Sequence, residues 1–287
     1  MEGNWWGTYN AHEKQYIHLF DKATSSRAYE EFVQSTSFPL VPVKPQGQGI
    51  TYASHQQGYV TRAVHVTRAM GVAVTEEEID DNLYKDKAFD RTAMLAFSFN
   101  QTKEVDGANQ YNRAFNSIYV FGDGKEMCAT DHPNSTGGTY SNELAVGAAL
   151  SELAIEDLIT QIMGAQNDNG LQISLMPRSL IVPRQLWAEA ARILKSINQS
   201  NSIENNLNVL RSMNMLPEGH HVNHYLDDAN NWFIRTNAPK GAMYIERKAI
   251  TFSKDNDFGT GNALMKASER YVFTIADPRS VYGSAPA

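Results

Sequence analysis

An α+β protein is the fold class this sequence predicts. Three features carry the expectation: a hairpin punctuated by proline and glycine, one helix of unusual length, and a closing pair of β-rich runs that follows an α/β alternation. At 287 residues the chain exceeds the usual size of a single core, so one large irregular domain or two smaller ones are expected. Hydrophobic residues make up 42% and charged residues 20%, the range of ordinary globular proteins, which sets aside disordered and fibrous classes.

The hairpin is read from Phe38 to His65, where Pro39, Pro42, Pro45, Gly47, Gly49 and Gly58 alternate with β-prone Val41, Val43, Ile50, Tyr52, Tyr59 and Val60. Few of these residues form a continuous apolar face. A two-stranded hairpin without a core is marginal in water, so this one is expected to project until another surface covers it. Thr75 and Glu78 then form a capping box, and Glu76, Glu77 and Glu78 complement the positive end of a helix dipole. The helix is expected to run from Glu76 to about Lys103. At 3.6 residues per turn, Tyr84, Ala88, Leu95 and Phe99 share one arc, while Ile79, Leu83, Met94 and Phe97 lie roughly opposite. Such a helix has two apolar faces, one for the chain's own sheet and one for an extra layer or a neighbouring molecule.

Beyond Gly107 the pattern predicts a β-like stretch at Ser117 to Phe121, a Gly-Asp-Gly turn at Gly122 to Gly124 and a polar loop from Asp131 to Asn142. An amphipathic helix over Leu150 to Met163, a strand near Leu180 to Val182 and a helix from Arg184 to about Ser196 make the α/β alternation. Short strands near His221 to Tyr225 and Trp232 to Thr236 follow, then β-like runs Met243 to Ile250 and Arg270 to Ala276 flanking a loop centred on Asp255 to Gly261.

The formal charge of −7 repels phosphate, so any contact with DNA is expected to be non-specific. The single cysteine, Cys128, leaves no disulfide framework and no cysteine-based zinc cage, and suits a reducing cytoplasm. No apolar run reaches membrane-spanning length and no secretion signal opens the chain, so no membrane partner is expected. Trp5, Trp6 and Tyr9 put three large aromatics where a solvated tail has little use for them, so the N-terminus is read as an arm that docks in a groove.

Candidate chemistry is thin. His220, His221 and His224 with Asp227 and Asp228 could hold a metal, but the three-residue spacing lies in a β-like context that alternates faces, and no His-Glu-x-x-His helix is present. Asp131-His132 precedes Pro133 in a Gly/Ser/Thr/Asn loop, where such residues cap turns. Cys128 reads as a small buried hydrophobe. The glycine pairs Gly47/Gly49, Gly122/Gly124 and Gly259/Gly261 complete no phosphate-cradle motif. No catalytic residue, cofactor or metal is therefore expected, and the profile is that of an assembly subunit.

Asp131-His132-Pro133 with Gly137-Gly138-Thr139-Tyr140-Ser141-Asn142, then Pro177 to Pro183 and Ala188 to Leu194, resemble the Mu-type major head subunit among tailed-bacteriophage capsid proteins of the Hong Kong 97-type fold. Asp255-Asn256-Asp257-Phe258 and Lys266 to Tyr271 leading to Asp277-Pro278-Arg279 are similar to that family's closing segment. The resemblance implies residues 1–35 as an N-terminal arm and 36–71 as the E-loop hairpin. Residues 72–130 would be a peripheral domain with the spine helix, 131–235 an α/β axial domain and 236–287 the return strands of the peripheral domain. It implies a structural protein of the virion that forms pentamers and hexamers around double-stranded DNA, assembled in the bacterial cytoplasm. With no room seen for a scaffolding segment, a separate scaffold protein is expected, with a portal and a decoration protein as further partners. Trp5, Trp6, Tyr9, Ile50, Tyr52, Tyr59, Phe97 and Phe99 are the candidate intersubunit contacts. The rival readings are an encapsulin-like shell around enzyme cargo, a metal enzyme built on the histidine cluster, and a tail or baseplate protein.

Overall fold

The computed structural model describes residues 2–54, 56–81, 84–198 and 207–286. Its first part holds helices α1 (Glu2–Ala11) and α2 (Tyr16–Leu19), strands β1 (Asp21–Thr24), β2 (Tyr29–Ser35), β3 (Gln57–Val64) and β4 (Val66–Val74), and helices α3 (Glu76–Asp80) and α4 (Tyr84–Asn112). The middle adds β5 (His132–Pro133), β6 (Thr139–Tyr140), α5 (Glu152–Met163), β7 (Pro177–Pro183), α6 (Trp187–Lys195) and α7 (Val209–Ser212). The last part comprises β8 (His220–Asn223), β9 (Trp232–Thr236), β10 (Ala242–Asn256), β11 (Ala263–Ile275) and β12 (Val281–Ser284). These elements form two compact units, Met1–Glu30 with Ala63–Asn109 and Met243–Thr274, and Glu31–Arg62 with Gln110–Ala242 and Ile275–Ala287.

The first unit is a four-stranded sheet in the order β1-β10-β11-β4. β4 runs antiparallel to β11, with Val74 opposite Ala263 and Val66 opposite Tyr271. Along β11 the residues Met265, Ala267, Glu269, Tyr271 and Phe273 are all buried, the period of a strand that gives one face to a core. Against that face α4 lays Leu95, Ala96 and Phe99, and α1 adds Trp5 and Tyr9, with Val72, Ile250 and Phe252 packed around them. Trp5 stacks on Phe252 at 5.0 Å and meets Phe99 edge-on at 6.0 Å.

The capping box forms as read: Glu78 N–H donates to Thr75 Oγ1 at 3.3 Å and Thr75 N–H to Glu78 Oε2 at 3.4 Å. It caps only α3, because Asp81 leaves the helix and α4 starts at Tyr84. The far end differs as well, since α4 continues past Lys103 to Asn112. Gly107, which looked like a stop, is a packing position: a Cβ there would lie 3.3 Å from the Phe273 ring and 3.4 Å from Tyr16 Cβ. The helix accepts the cost of an interior glycine in return for close contact.

One charged pair lies inside this apolar layer. Lys103 Nζ sits 2.5 Å from Glu269 Oε2 and 3.0 Å from the Tyr9 hydroxyl, with the Tyr9, Tyr244 and Tyr271 ring centres 5.3 to 5.8 Å away. Burial works against the ammonium, but the Glu269 carboxylate outweighs it and holds Lys103 charged, above its ordinary value. The next residue, Glu104, accepts the backbone N–H groups of Gln15 and Tyr16 at 2.8 and 2.9 Å, which fixes the entry to α2. Burial pushes its carboxyl up to about 7, although the two donors act in the opposite direction.

The second unit has the sheet β12-β9-β7-β8. β7 is parallel to β8 and antiparallel to β9, and nearly all of its residues are buried, as its continuous apolar run requires. Ile155, Leu158 and Ile162 of α5 pack with Leu180, Val182, Trp232, Ile234, Ala190, Ile193 and Tyr282 into one core. β9 spans Trp232 to Thr236 as expected, but Ser117 to Phe121 is not a strand. There Asn116 captures the backbone, accepting Ile118 N–H on its side chain and Tyr119 N–H on its carbonyl, so turn geometry wins over β propensity.

A buried polar cluster ties the loops of this unit together. Asn142 Oδ1 accepts Ala129 N–H at 2.8 Å, while its amide lies 2.7 to 3.0 Å from the carbonyls of Met127, Pro278 and Val281. His132, fully buried and stacked on Tyr140, places Nδ1 2.7 Å from Asp123 and Nε2 3.0 Å from Asn142 Oδ1. Arg279 lies over the Tyr140 ring and donates to Asp168, Asn134 and the Gln166 carbonyl.

Two stability predictions follow from these polar groups. Glu104 binds its proton more tightly folded than unfolded, so its contribution is complete below about pH 4.5 and is lost as pH rises through about 7. The thermal midpoint is expected to fall more steeply from about pH 5 to about pH 8 in the natural chain than in Glu104→Gln, and parallel slopes would refute this. Asn142→Ala orphans one N–H and up to three carbonyls, so denaturant unfolding should show a loss of roughly 3 kcal/mol or more, and a loss under about 1 kcal/mol would contradict the assignment.

Candidate assembly surface

The stretch from residue 36 to 56 departs from the expected hairpin in one respect. Its paired strands are β2, which precedes Phe38, and β3, which lies inside the expected Phe38 to His65 span, and the described β-prone residues between them form no strand. Prolines at 39, 42 and 45 remove donors at a three-residue interval that no two-residue ladder can accommodate. A single turn, Gln48 N–H to the Pro45 carbonyl at 3.2 Å, is the backbone hydrogen bond found within the tip.

Below the tip the base is firmly held. Thr36 N–H donates to the Gln56 carbonyl at 3.0 Å, and Gln56 N–H returns to Thr36 Oγ1 at 2.8 Å. Gln34 Nε2 reaches both oxygens of Asp168 at 3.3 Å, and the Asn169 amide donates to the Ser37 carbonyl. Asp168 is itself fixed by Arg279 at 3.1 Å. β3 crosses the Gly122 turn so closely that a Cβ on Gly122 would lie 2.5 Å from the Val60 carbonyl oxygen. Glycine is what lets the two backbones touch.

On this base the tip displays Leu40, Val41, Val43, Ile50 and Tyr52, with Val41 and Val43 each 93% and Tyr52 86% exposed. Ile50 and Tyr52 are thus both exposed, while Tyr59 is half-buried in β3.

The other candidate contacts divide. Trp5, Tyr9 and Phe99 are spent inside the first unit's own core, which corrects their reading as surfaces free for a neighbour: the groove that the N-terminal aromatics fill belongs to the same chain. Phe99→Asp would thus disrupt packing before it could report on assembly. Trp6 and Phe97 stay exposed, with Phe97 beside His12 at 5.0 Å and Met94 exposed on the same helix. The side chains of Ile79, Leu83, Tyr84 and Ala88 lie outside the described residues. The most exposed aromatic was not among the expected contacts. Phe258 stands fully exposed at the β10–β11 tip, on a turn locked by Asp257, which accepts Gly259 N–H at 3.1 Å and the Thr260 hydroxyl at 2.7 Å. The signal was in the sequence, as an aromatic inside an Asp/Asn/Gly turn.

The residues with catalytic potential are engaged in structure. His132 is locked between Asp123 and Asn142, and Asp131 pairs at the surface with Lys125 at 2.5 Å. Asp227 accepts from the Asn112 amide, and Asp228 caps the N–H groups of Asn230 and Asn231. Burial holds the Cys128 thiol well above its ordinary value, which makes it inert. Among the described residues no three His, Cys, Asp or Glu side chains gather in a metal-binding arrangement, and no helix is long and apolar enough to cross a membrane.

Comparison with known proteins agrees with this geometry. Residues 58–284 match a family model described as phage capsid protein. No curated protein matches the chain. Among solved structures, the chain is similar to a virus-like particle from Pyrococcus furiosus, at TM-score 0.53 and 12% identity over 99% of this chain and 97% of that one. It is also similar to the capsid of Myoviridae phage XM1, at TM-score 0.54 and 8% identity over 95% and 92%. The capsid of a native GTA particle gives TM-score 0.53 and 13% identity over 96% and 90%. Identities this low speak for the fold alone, which is the Hong Kong 97-type capsid fold, α+β as expected. Its family is shown by the match across most of its length: the chain belongs to the phage capsid proteins.

Proposed function

We propose that this chain is the major head subunit of a tailed phage, which assembles copies of itself as pentamers and hexamers into an icosahedral shell around double-stranded DNA. The single observation that carries the reading is the apolar tip at residues 38–54, displayed on a polar base that the chain itself completes. Burying one such aliphatic side chain is worth roughly 1.5–3 kcal/mol, so Leu40, Val41, Val43 and Ile50 with Tyr52 on a neighbour make a substantial share of an interface of about 800 Å² per partner. His132, Asp227 and Asp228 are hydrogen-bonded into the fold and Cys128 is buried, which supports a structural role over an enzymatic one.

In this reading the first unit takes the part of the peripheral domain, residues 110–242 with 275–287 that of the axial domain, and the β2–β3 hairpin with its tip that of the E-loop. The Mu-type subtype rests on the motifs around Asp131 to Asn142, where His132 and Asn142 meet. A scaffold protein, a portal and a decoration protein are the partners proposed beyond the subunit itself, with assembly in the bacterial cytoplasm before the shell becomes part of the virion.

The test is expression with and without a scaffold protein, followed by negative-stain electron microscopy. Natural chains should give closed particles or their capsomers. Val41→Asp with Val43→Asp should leave the circular dichroism and thermal midpoint of the subunit unchanged and reduce particle yield at least about tenfold. Particles at normal yield from the double variant would defeat the reading.

A further inference from the structure

The face of the first unit's sheet that turns away from α4 carries a cluster of cationic and polar groups without partners. Strand alternation puts Thr67 of β4, Arg270 of β11 and Arg247 of β10 on this face, with His65 just before β4. His65 is only 4% exposed, yet neither ring nitrogen has a hydrogen-bond partner, and the buried Nε of Arg270 also has none. Burial, and after it Arg270 and Arg247, hold the imidazole below its ordinary value. Among the described residues Arg247 and Arg270 make no ion pair. Glu30, the carboxylate that acts on His65, is already bound by Ser25 Oγ at 2.6 Å and lies 3.9 Å from Arg27. Such a cluster is suited to an incoming carboxylate.

The opposite end of β4 has the matching charge. α3 begins two residues after Val74, and Glu77, Asp80 and the adjoining Asp81 are exposed and make no ion pair among the described residues, whereas Glu78 is held by Arg91 at 2.8 Å. From Val66 to Val74, at about 3.3 Å per residue, the two ends of the strand are about 26 Å apart. The acidic end of a chain therefore cannot reach its own basic end.

We propose that Glu77, Asp80 and Asp81 of one copy dock on Arg247, Arg270 and His65 of the next, so that the first unit's sheet associates head to tail. This deepens the capsid reading and rests on it. A contact between two different patches of identical chains is heterologous, the kind that closes into rings or extends into a lattice. Charge complementarity also meets a need particular to this chain, since copies bearing −7 repel each other unless opposite patches face.

The test is a charge swap in the full chain. Arg247→Glu with Arg270→Glu should cut particle yield at least about tenfold while the subunit's thermal midpoint is kept, and Glu77→Lys with Asp80→Lys and Asp81→Lys should do the same. Combining both sets should restore particles. Normal yield from either set alone, or no restoration in folded combined subunits, overturns the contact. Arg247→Cys with Asp80→Cys gives an independent measurement: because an Arg–Asp pair holds its Cα atoms beyond disulfide reach, a bismaleimide reagent spanning about 10 Å is used, which should give covalent ladders between copies, and assembled particles without them overturn the proposal. A natural chain that makes no particles at all counts against the capsid reading itself, which keeps the two failures apart.

Discussion

The second unit's hold on the projecting loop starts from the pairing of Arg279 with Asp168, both buried, which acts beside the Thr36–Gln56 hydrogen bonds at the root of that loop. Asp168 faces the loop through Gln34, and the adjoining Asn169 holds the Ser37 carbonyl. Arg279 reaches inward to Asn134 and Gln166 and lies over Tyr140, whose other neighbour is the His132 ring. A buried ion pair is weak evidence for net stability, since desolvation offsets much of the attraction, but it restricts geometry strongly. Removing Arg279 would leave a buried carboxylate without its cation, whereas removing Asp168 would leave Arg279 the more distant Asp277 at 3.8 Å. The consequence is a loop with a determined root and an undetermined tip, which is what a segment needs if a neighbour is to complete it.

The first unit meets the opposite demand with similar means. Asn100, Lys103 and Glu104 share one turn of α4, and each holds part of the N-terminal segment: the Tyr9 carbonyl, the Tyr9 hydroxyl, and the N–H groups of Gln15 and Tyr16. Trp5 fills the apolar space beside them. Aromatic surface that might have served association is withdrawn into the core, and the polar turn specifies where it sits. Among the described apolar residues of α4, Met94, Phe97 and Val105 stay exposed.

How much of this the sequence disclosed depends on the range of the interaction involved. The capping box of Thr75 and Glu78, strand β9 and the buried run of β7 are set within a few residues, and pattern alone locates them. Gly107 was misread because its role depends on Phe273 and Tyr16, far away in the chain. Trp5 was misread for a related reason, in that an aromatic-rich terminus shows a need for a groove but not whose groove it is. Val41, Val43 and Tyr52 were legible as uncovered surface because the segment has no continuous apolar face, although the strands expected there do not form, since the proline spacing forbids the ladder. The meeting of His132 with Asn142 could be suspected only from resemblance, since no spacing rule links a histidine to an asparagine ten positions on.

Assembly of an acidic chain adds a constraint that no single subunit displays. Long-range repulsion between copies falls off over about 8–10 Å at physiological salt, so it governs approach, whereas apolar burial acts only at contact. A shell must be correctable while it grows, which favours several moderate contacts over one strong one, because affinity differences reside mainly in dissociation. The tip at residues 38–54 can supply burial once it arrives, but having Lys44 as its only charge it cannot direct the approach. Orientation must come from fixed charge on ordered elements, and the strand-bound Arg247 and Arg270 have the rigidity for it. On the proposed contacts, a division of labour between apolar burial at the tip and ionic steering on the sheet follows from the charge of the chain and the range of the forces.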